Sequence, residues 1–310
     1  MKTTTKYVAF YMFAEATSSV AIERLRRLRA INSKVTFVPV VGVRQLLYLP
    51  SFFDGYMFGN MRALHLIGPV SHLINSVALY FPGFFNLTAD INKTVAPFTR
   101  HNKLAELQSR AIEEGIENLY ADFTPMVLFN ADYAIMNWYK TMGRKLDFDY
   151  LIFYESDIFT TKPLEAIYEK YTESYDACFN EYTEAGSDWH FSNYPPKCSW
   201  ATKRWLLKRG LPPVLFRCIF GGALVSRSVL ERLSELNIDF AKGPYCTAEM
   251  RLPTVITALG FRCGRFNFPF YRFRPMWSEN EVYSNEAAGI FHPVKSLLSV
   301  EKEYARRRVG

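Results

Sequence analysis

The chain opens with two short apolar runs on either side of an amphipathic segment. Residues 6–13 are rich in Val, Phe and Tyr, and residues 34–43 (KVTFVPVVGV) have the same character. Such runs suit buried β-strands. Between them, Ala21, Leu25 and Leu28 recur at helical spacing, which predicts a helix. The order strand, helix, strand favours a parallel sheet with a right-handed crossover.

The periodicity weakens in the middle of the chain. Residues 46–100 are rich in Phe, Tyr, Leu and Pro without a clear repeat, and we interpret them as a partly helical insert. Two helices are predicted after it, over 102–115 and 124–142, and a polar, aromatic loop is expected over 180–205. Further strands are predicted at 175–179, 218–225 and 261–268.

The sharpest pattern lies in the segment LDFDYLIFYESDIFTTKPLEAIYEKY. The apolar strand predicted at 150–154 ends abruptly in Glu155, Ser156 and Asp157, and a helix follows. Ligands of open α/β sheets bind outside the carboxyl ends of the strands. Two carboxylates one residue apart at that place can both reach one hard cation such as Mg²⁺. The alternative is that these acids simply end a strand, as loop or cap residues.

A pair of glycines, Gly221 and Gly222, interrupts the predicted strand CIFGGALV. Glycine weakens a strand unless the backbone must approach something closely. A sugar or an acceptor passing over the sheet would be such a group. A bulge, or tight packing of a helix on the sheet, would explain the pair equally well.

Glu249 lies where a polar stretch passes into an apolar one, in CTAEMRLPTVITALGF. We expect it just before a helix that has Pro253 in its first turn and ends at Gly260. A carboxylate there could act as a general base toward an acceptor hydroxyl. An acid at a helix N-terminus can also serve only to interact with the helix dipole.

The segment GIFHPVK holds His292 and Lys295. Histidine is a good transition-metal ligand, and lysine can pair with a phosphate as a point charge. A single histidine in a sequence is, however, more commonly a surface group or a hydrogen-bonded core residue.

Composition narrows the class of protein. With 49% hydrophobic and 22% charged residues over 310 positions, the chain is globular and long enough for a full core. No window approaches the ~18 apolar residues of a membrane span, and the N-terminus resembles a first strand more than a signal peptide. Five cysteines without a CxxC pair fit a reduced, cytoplasmic protein.

The net charge of +7 permits acidic partners without choosing among nucleotides, nucleic acid and anionic membranes. Four arginines between 24 and 29 are expected on a solvated helix face. The basic stretch 203–209 lies close to two tryptophans and leaves open a peripheral contact with a membrane surface. We also predict that at least one of four tryptophans lines an acceptor cleft: Trp189, Trp200, Trp205 and Trp277.

The order of these motifs resembles the GT-A fold of nucleotide-sugar glycosyltransferases. DYLIFYESD resembles the metal-binding DxD element that follows a hydrophobic strand in that fold, with Glu155 in place of the first Asp. FGGALVSRSVLERL resembles the strand and helix that shape the acceptor side. AEMRLPTVITALGFR resembles a later motif in which an acid precedes a helix, with Met250 where a second acid is frequent. Together the pieces resemble a glycosyltransferase-like group that carries an ExD variant of the DxD motif.

This resemblance implies an α/β fold with a GT-A-like mixed, mainly parallel sheet flanked by helices in a single Rossmann-like domain with an insert. The catalytic domain would span 1–296, with the insert at 46–100 and an acceptor-side loop region at 180–212. A charged C-terminal tail would follow at 297–310.

The resemblance further implies a glycosyltransferase that moves a sugar from a nucleotide-diphosphate donor to the hydroxyl of a carbohydrate or other acceptor. Mn²⁺ or Mg²⁺ would be ligated by Asp157, Glu155 and His292. Glu249 would activate the acceptor hydroxyl if the reaction inverts the anomeric centre. Contacts to the donor are expected from Glu155, Ser156, Lys295, Gly221 and Gly222.

Three other functions stay open. A nucleotidyltransferase could use a similar sheet, although residues 13–20 lack a Gly-rich, basic phosphate cradle. A non-catalytic nucleotide-sugar-binding protein would keep the fold without the chemistry. A nucleic-acid binder is suggested by net charge alone, and because no known binding motif supports it, no nucleic acid is expected as a partner.

Overall fold

The computed structural model describes residues 5–12, 19–42, 113, 119–122, 131–187, 189, 192, 198–235, 246–272 and 277–294. The predicted insert over 46–100, Lys295 and the charged tail over 297–310 lie outside the described residues, as does the helix predicted over 102–115 apart from Glu113. Within the described part, no helix is both long and apolar enough to cross a membrane.

Strands and helices alternate along most of the described chain. The strands are β1 (Tyr7–Met12), β2 (Thr36–Gly42), β3 (Tyr120–Asp122), β4 (Tyr150–Glu155), β5 (Phe159–Thr160), β6 (Ala177–Glu184), β7 (Phe216–Ser226), β8 (Cys263–Arg265) and β9 (Ile290–Phe291). The α-helices are α1 (Ser19–Ile31), α2 (Ala131–Thr141), α3 (Leu164–Thr172), α4 (Cys198–Leu207), α5 (Arg227–Glu235), α6 (Ala248–Ala258) and α7 (Glu279–Ser284). Short 3₁₀ turns occupy Gly143–Lys145 and Glu286–Ala288.

Among the described residues, seven of these strands form one sheet in the order β3-β2-β1-β4-β7-β6-β8. Strand β1 pairs in parallel with β2 and β4, and the pairs β2–β3 and β6–β8 are also parallel. Strand β7 runs antiparallel to both of its neighbours, β4 and β6. The α/β fold with a mixed, mainly parallel sheet, predicted above, is therefore confirmed, as is the opening strand–helix–strand unit.

The central strands are apolar throughout because both faces of the sheet are covered. In β1, Val8 and Phe10 belong to one apolar cluster, whereas Ala9 and Tyr11 belong to the cluster on the other face. All six residues of β1 are buried. The first cluster includes residues of α2, α5 and α6, and the second includes residues of α1 and α3. A continuous apolar run is the expected sequence of such a strand.

Several boundaries differ from their predictions. The last strand of the large sheet covers only Cys263–Arg265, and part of the loop predicted over 180–205 is regular, since β6 continues to Glu184 and α4 begins at Cys198. Helix α6 begins at Ala248, so Glu249 lies inside the first turn and Pro253 lies inside the helix. The helix starts earlier than predicted: the carbonyl of Thr247, its extended N-cap residue, accepts the N–H of Arg251 (2.8 Å), while the Thr247 hydroxyl makes no capping bond.

Candidate functional site

The end of β4 carries the two carboxylates that the sequence singled out. Glu155 is the last residue of β4 and pairs with Met12 at the end of the parallel strand β1. The chain then turns sharply: the N–H of Ser156 donates to the carbonyl of Met12 (3.1 Å), and the N–H of Ile158 donates to that of Glu155 (3.0 Å). The carboxylates of Glu155 and Asp157 therefore stand at the carboxyl edge of two adjacent strands.

A C-terminal segment closes over this turn and brings His292 to it. Strand β9 pairs antiparallel with β5, which follows the turn directly. The N–H of Thr161 donates to the carbonyl of Gly289 (2.9 Å), and the N–H of Val294 donates to that of Asp157 (2.8 Å). These backbone bonds place His292 opposite both carboxylates.

The three side chains form one cluster. Nε2 of His292 lies 3.6 Å from Oε2 of Glu155 and 3.6 Å from Oδ1 of Asp157. Nδ1 of His292 lies 3.0 Å from the carbonyl oxygen of Arg272, which suits a tautomer with its proton on Nδ1 and a lone pair on Nε2. Burial by itself lowers the pKa of His292, but the two carboxylates outweigh it and raise the pKa above its ordinary value.

The donor set fits a divalent cation. One ligand atom from each of Glu155, Asp157 and His292 lies within 4.8 Å of the other two. Neighbouring ligands of an octahedral ion with bonds of about 2.1 Å stand about 3 Å apart, and opposite ligands about 4 Å apart. Carboxylates suit both Mg²⁺ and Mn²⁺, and the additional imidazole ligand favours a transition-metal ion such as Mn²⁺ over Mg²⁺. The carbonyl that holds Nδ1 is the kind of outer contact that orients metal-binding histidines.

The glycine pair of β7 accommodates side chains of the protein itself. A Cβ at Gly221 would overlap the carboxylate of Glu155, and a Cβ at Gly222 would lie 2.8 Å from the hydroxyl of Tyr271. Gly222 also has a φ of +72°, which disfavours any other residue. Side chains of the protein, chiefly Glu155 and Tyr271, thus approach the glycine pair closely. The expected approach of a sugar or an acceptor to these glycines stays a prediction.

Tyr271 is a site residue that sequence reasoning missed. Its ring stacks on the imidazole of His292, with the centroids 4.6 Å apart and the planes 17° apart. Its hydroxyl is buried and has no hydrogen-bond partner within the described part of the chain. Burial raises the pKa of Tyr271 well above its ordinary value, and the charges nearby, including Glu155 and Asp157, add to the effect.

Glu249 lies in the electrostatic field of the same cluster. Burial, and after it the carboxylate of Glu155, raise its pKa to about 8, although a hydrogen bond from the N–H of Phe220 acts in the opposite direction. A carboxyl group with this pKa holds its proton over much of the neutral range. Glu249 can therefore exchange a proton with a ligand near neutral pH, which a carboxyl of ordinary pKa does poorly.

A buried ion pair anchors the helix that carries Glu249. Arg251 donates two hydrogen bonds of 2.6 Å to the two carboxylate oxygens of Asp132 on α2, and both side chains are almost completely buried. Its guanidinium also lies over the ring of Tyr133, 4.2 Å from the centroid. The pair ties the first turn of α6 to α2, so the backbone of Glu249 has a fixed place.

Two arginines of α1 contact the turn after β4. Arg24 is buried and donates to the carbonyl of Ser156 (2.6 Å), and Arg27 donates to the carbonyl of Thr160 (2.9 Å) and lies over the ring of Phe159. The prediction that these arginines lie on a solvated face is therefore wrong for Arg24. Amphipathic spacing identifies the apolar stripe of a helix, but it does not reveal a polar loop packed against the other side.

The tryptophans have different environments. Trp189 and Trp205 are buried, Trp277 is partly buried, and Trp200 is 60% exposed. The indole N–H of Trp277 donates to the carbonyl of His292 (2.9 Å), so Trp277 supports the segment that carries the histidine. The prediction that one tryptophan lines an acceptor cleft stays a prediction.

No protein-family model matches this chain, and no curated protein matches it significantly. A structure of an active-site mutant of LgtC aligns over 97% of this chain and 95% of that protein, with 7% sequence identity and a TM-score of 0.36. A structure of the galactosyltransferase LgtC with donor and acceptor sugar analogues aligns over 97% and 94%, with 9% identity and a TM-score of 0.38.

Proposed function

We propose that this protein is a glycosyltransferase that moves a sugar from a nucleotide-diphosphate donor to an acceptor hydroxyl with the help of Mn²⁺ or Mg²⁺. One observation carries the proposal: the side chains of Glu155, Asp157 and His292 converge at the carboxyl edge of a mainly parallel sheet. That edge is where α/β sheets bind their ligands. The resemblance of the DYLIFYESD segment to a metal-binding element points to two of these residues, Glu155 and Asp157.

The residues divide into two roles. Asp157, Glu155 and His292 would hold the cation, which when bound supplies positive charge that stabilises a diphosphate leaving group. Ser156 and Lys295 remain proposed donor contacts. Gly221 and Gly222 would serve the donor side indirectly, because their lack of side chains leaves room for the Glu155 carboxylate and for Tyr271.

Glu249 would exchange the proton of the acceptor hydroxyl. Its raised pKa derives first from burial and then from Glu155. A cation held by Glu155 and Asp157 would weaken the effect of Glu155 on the pKa of Glu249 and so favour the carboxylate form of Glu249. Proton uptake by Glu249 would therefore be coupled to occupation of the neighbouring cluster.

The compartment and domain layout are part of the same proposal. All five cysteines are free thiols, and four of them are buried. Unpaired buried thiols are typical of reducing compartments, which supports a cytoplasmic protein. We propose one catalytic domain over 1–296 with an insert at 46–100 and an acceptor-side region at 180–212.

The test pairs two substitutions of the same kind. Asp157→Asn removes a ligand charge at constant size, whereas Asp147→Asn removes an exposed acid that pairs with Lys6 at the opposite end of β4. Calorimetric titration with Mn²⁺ should show affinity lowered by at least about tenfold in the first variant, which is what losing even a contact to a ligand costs. The second variant should bind as the unaltered chain does.

Activity is measured on a panel of nucleotide sugars as release of nucleoside diphosphate. We expect the unaltered chain to release nucleoside diphosphate, and a chelator to abolish that release. The Asp157→Asn variant should show no release, whereas the Asp147→Asn variant should release nucleoside diphosphate as the unaltered chain does. Binding of a donor without any turnover would instead support a non-catalytic nucleotide-sugar-binding protein. Release of pyrophosphate would support a nucleotidyltransferase, and either outcome would overturn the proposal.

A further inference from the structure

We propose that the outer face of helix α4 docks on an anionic lipid bilayer. This face, called here the basic-aromatic face, combines two large apolar side chains with four cations. Its members are Trp200, Lys203, Arg204 and Leu207 on the outer side of α4, together with the exposed Lys208 and Arg209 of the turn that follows the helix. The inference is independent of the catalytic proposal, because it uses none of the residues of the metal cluster.

The apolar members are far more exposed than such residues usually are. Trp200 is 60% exposed and Leu207 is 61% exposed. Among the described residues, four large hydrophobic side chains are exposed, and three of them lie between 200 and 214: these two and Val214. Single exposed apolar residues are ordinary, but a group of them on one surface marks an interaction site.

Helix geometry keeps these side chains out of the core. Thr202, Trp205 and Leu206 are buried on the inner face of α4, and the hydroxyl of Thr202 donates to Sγ of Cys246 (3.5 Å). Trp200 and Leu207 are seven residues apart and so share the opposite face. Since the inner face packs on the protein, the outer face, with Trp200 and Leu207, is exposed to solvent. The contact with Cys246 places α4 next to the segment that leads into α6.

The charge around the face has one sign. No Asp or Glu occurs between Asp188 and Glu231, a stretch that holds seven Lys and Arg residues. None of the four cations of the face forms a salt bridge with any residue that the structure describes. Arg204 lies over the ring of Trp200 (5.3 Å) and Arg209 over that of Trp205 (4.0 Å), contacts that leave their charge intact.

This combination fits the surface of a bilayer better than another polyanion. Helices with basic side chains and exposed Trp and Leu lie in the membrane interface, with lipid phosphates beside the cations and hydrocarbon beneath the apolar side chains. Tryptophan is enriched at that depth. A nucleic acid offers phosphates but no hydrocarbon that would cover Trp200 and Leu207.

The test measures co-sedimentation of the full chain with vesicles, in the absence of nucleotide sugar. One set of vesicles is pure phosphatidylcholine, and the other is a two-to-one mixture of phosphatidylcholine and phosphatidylglycerol. Lys203→Gln with Lys208→Gln removes two charges and leaves both arginine–tryptophan stacks in place. Trp200→Ala removes the exposed ring. The matched control variant is Lys140→Gln with Lys145→Gln and Met142→Ala, which removes two exposed cations and the fourth exposed apolar side chain.

We expect binding to the anionic vesicles and little binding to phosphatidylcholine alone. The double lysine variant should partition about 30-fold more weakly, from the interaction of a surface cation with anionic lipid. Trp200→Ala should bind several-fold more weakly, and the control variant should bind as the unaltered chain does. No binding to anionic vesicles at low salt would overturn the proposal. So would equal losses in the control variant, or losses confined to binding of single-stranded nucleic acid.

Discussion

The phenol ring of Tyr271 lies parallel to the imidazole of His292, with ring centroids 4.6 Å apart, while its hydroxyl is buried against the glycine pair of β7. The ring thus fixes the plane of His292 from one side, and the carbonyl of Arg272 fixes Nδ1. The two contacts together aim Nε2 at Glu155 and Asp157.

The ring and the hydroxyl of Tyr271 should have separable effects. Tyr271→Phe keeps the stacked ring, so Mn²⁺ affinity should be unchanged, and because the lost hydroxyl is buried without a partner, stability should be equal or higher. Tyr271→Leu removes the ring and should weaken Mn²⁺ binding by about tenfold or more. Calorimetric titration and thermal melts measure the two effects.

Tyr168 supplies the control for this comparison. Its hydroxyl donates to the carbonyl of Gly222 (3.0 Å), so Tyr168→Phe should destabilise the protein by about 1 kcal/mol. Equal destabilisation by Tyr168→Phe and Tyr271→Phe would show that the Tyr271 hydroxyl does have a partner, and unchanged Mn²⁺ affinity in Tyr271→Leu would show that the ring does not position His292.

Gly221→Ala should damage the metal cluster directly. The added methyl group would overlap the carboxylate of Glu155, which must then leave its place. We expect Mn²⁺ affinity to fall by about tenfold or more. Gly143→Ala is the matched control, because its methyl group would lie 2.8 Å from the ring of Trp138 in the core. The Gly143→Ala variant should have a lower melting temperature but an unchanged Mn²⁺ affinity. If both variants lose Mn²⁺ affinity to the same extent, the loss in Gly221→Ala is due to general destabilisation.

The buried pair of Asp132 and Arg251 should matter far more to stability than an exposed pair. Asp132→Asn leaves a buried guanidinium without its counter-charge and should destabilise the protein by about 3–5 kcal/mol. Glu231→Gln breaks the partly exposed pair with Arg227 and should cost about 0.5 kcal/mol or less. Urea unfolding measures both. Asp132→Met with Arg251→Met should recover much of the loss, and a double variant as unstable as the single one would contradict the explanation.

The raised pKa of Glu249 predicts a pH dependence of stability. Its pKa is about 8 in the folded chain and about 4.5 in the unfolded chain, so between these values the folded state binds more protons. Stability is therefore fully present below the lower value and falls as the pH rises toward the higher one. Because the side chain is partly exposed, we expect a fall of about 2 kcal/mol, less than the full pKa difference would give.

Glu249→Gln should remove most of this fall. The variant should be the more stable form above about pH 8 and should lose its advantage near about pH 5. Urea unfolding across this range, with a chelator present so that no cation neutralises Glu155, makes the comparison. Glu231→Gln controls for the loss of a carboxylate on a helix. A decline that is as steep in Glu249→Gln as in the unaltered chain would assign the titration to another group.

Much of the site could be predicted from local sequence because its acidic residues stand where an apolar segment of the chain begins or ends. Glu155 is the last residue of β4, after five apolar or aromatic residues, and Asp157 lies two residues further on. The end of an apolar run therefore marks the sheet edge at which both carboxylates stand. Glu249 stands at the polar-to-apolar transition that begins α6. Tyr271 has no such signal, because a tyrosine in an irregular stretch has the same pattern whether it packs on a core or on a histidine.

By itself, then, the sequence determined the α/β class, the strand that carries the carboxylates and the residue types that could bind a cation. These properties are local, because a buried helix or strand has a characteristic spacing of apolar residues in its own sequence. The family resemblance grouped His292 with Glu155 and Asp157, and the tertiary structure brings the three together. Only the tertiary structure decided that Arg24 lies beneath the turn and that the glycines face Glu155 and Tyr271. Those contacts join segments that are distant in the sequence. The spacing of apolar residues predicts that one face of an element is buried, but it does not predict which segment covers that face.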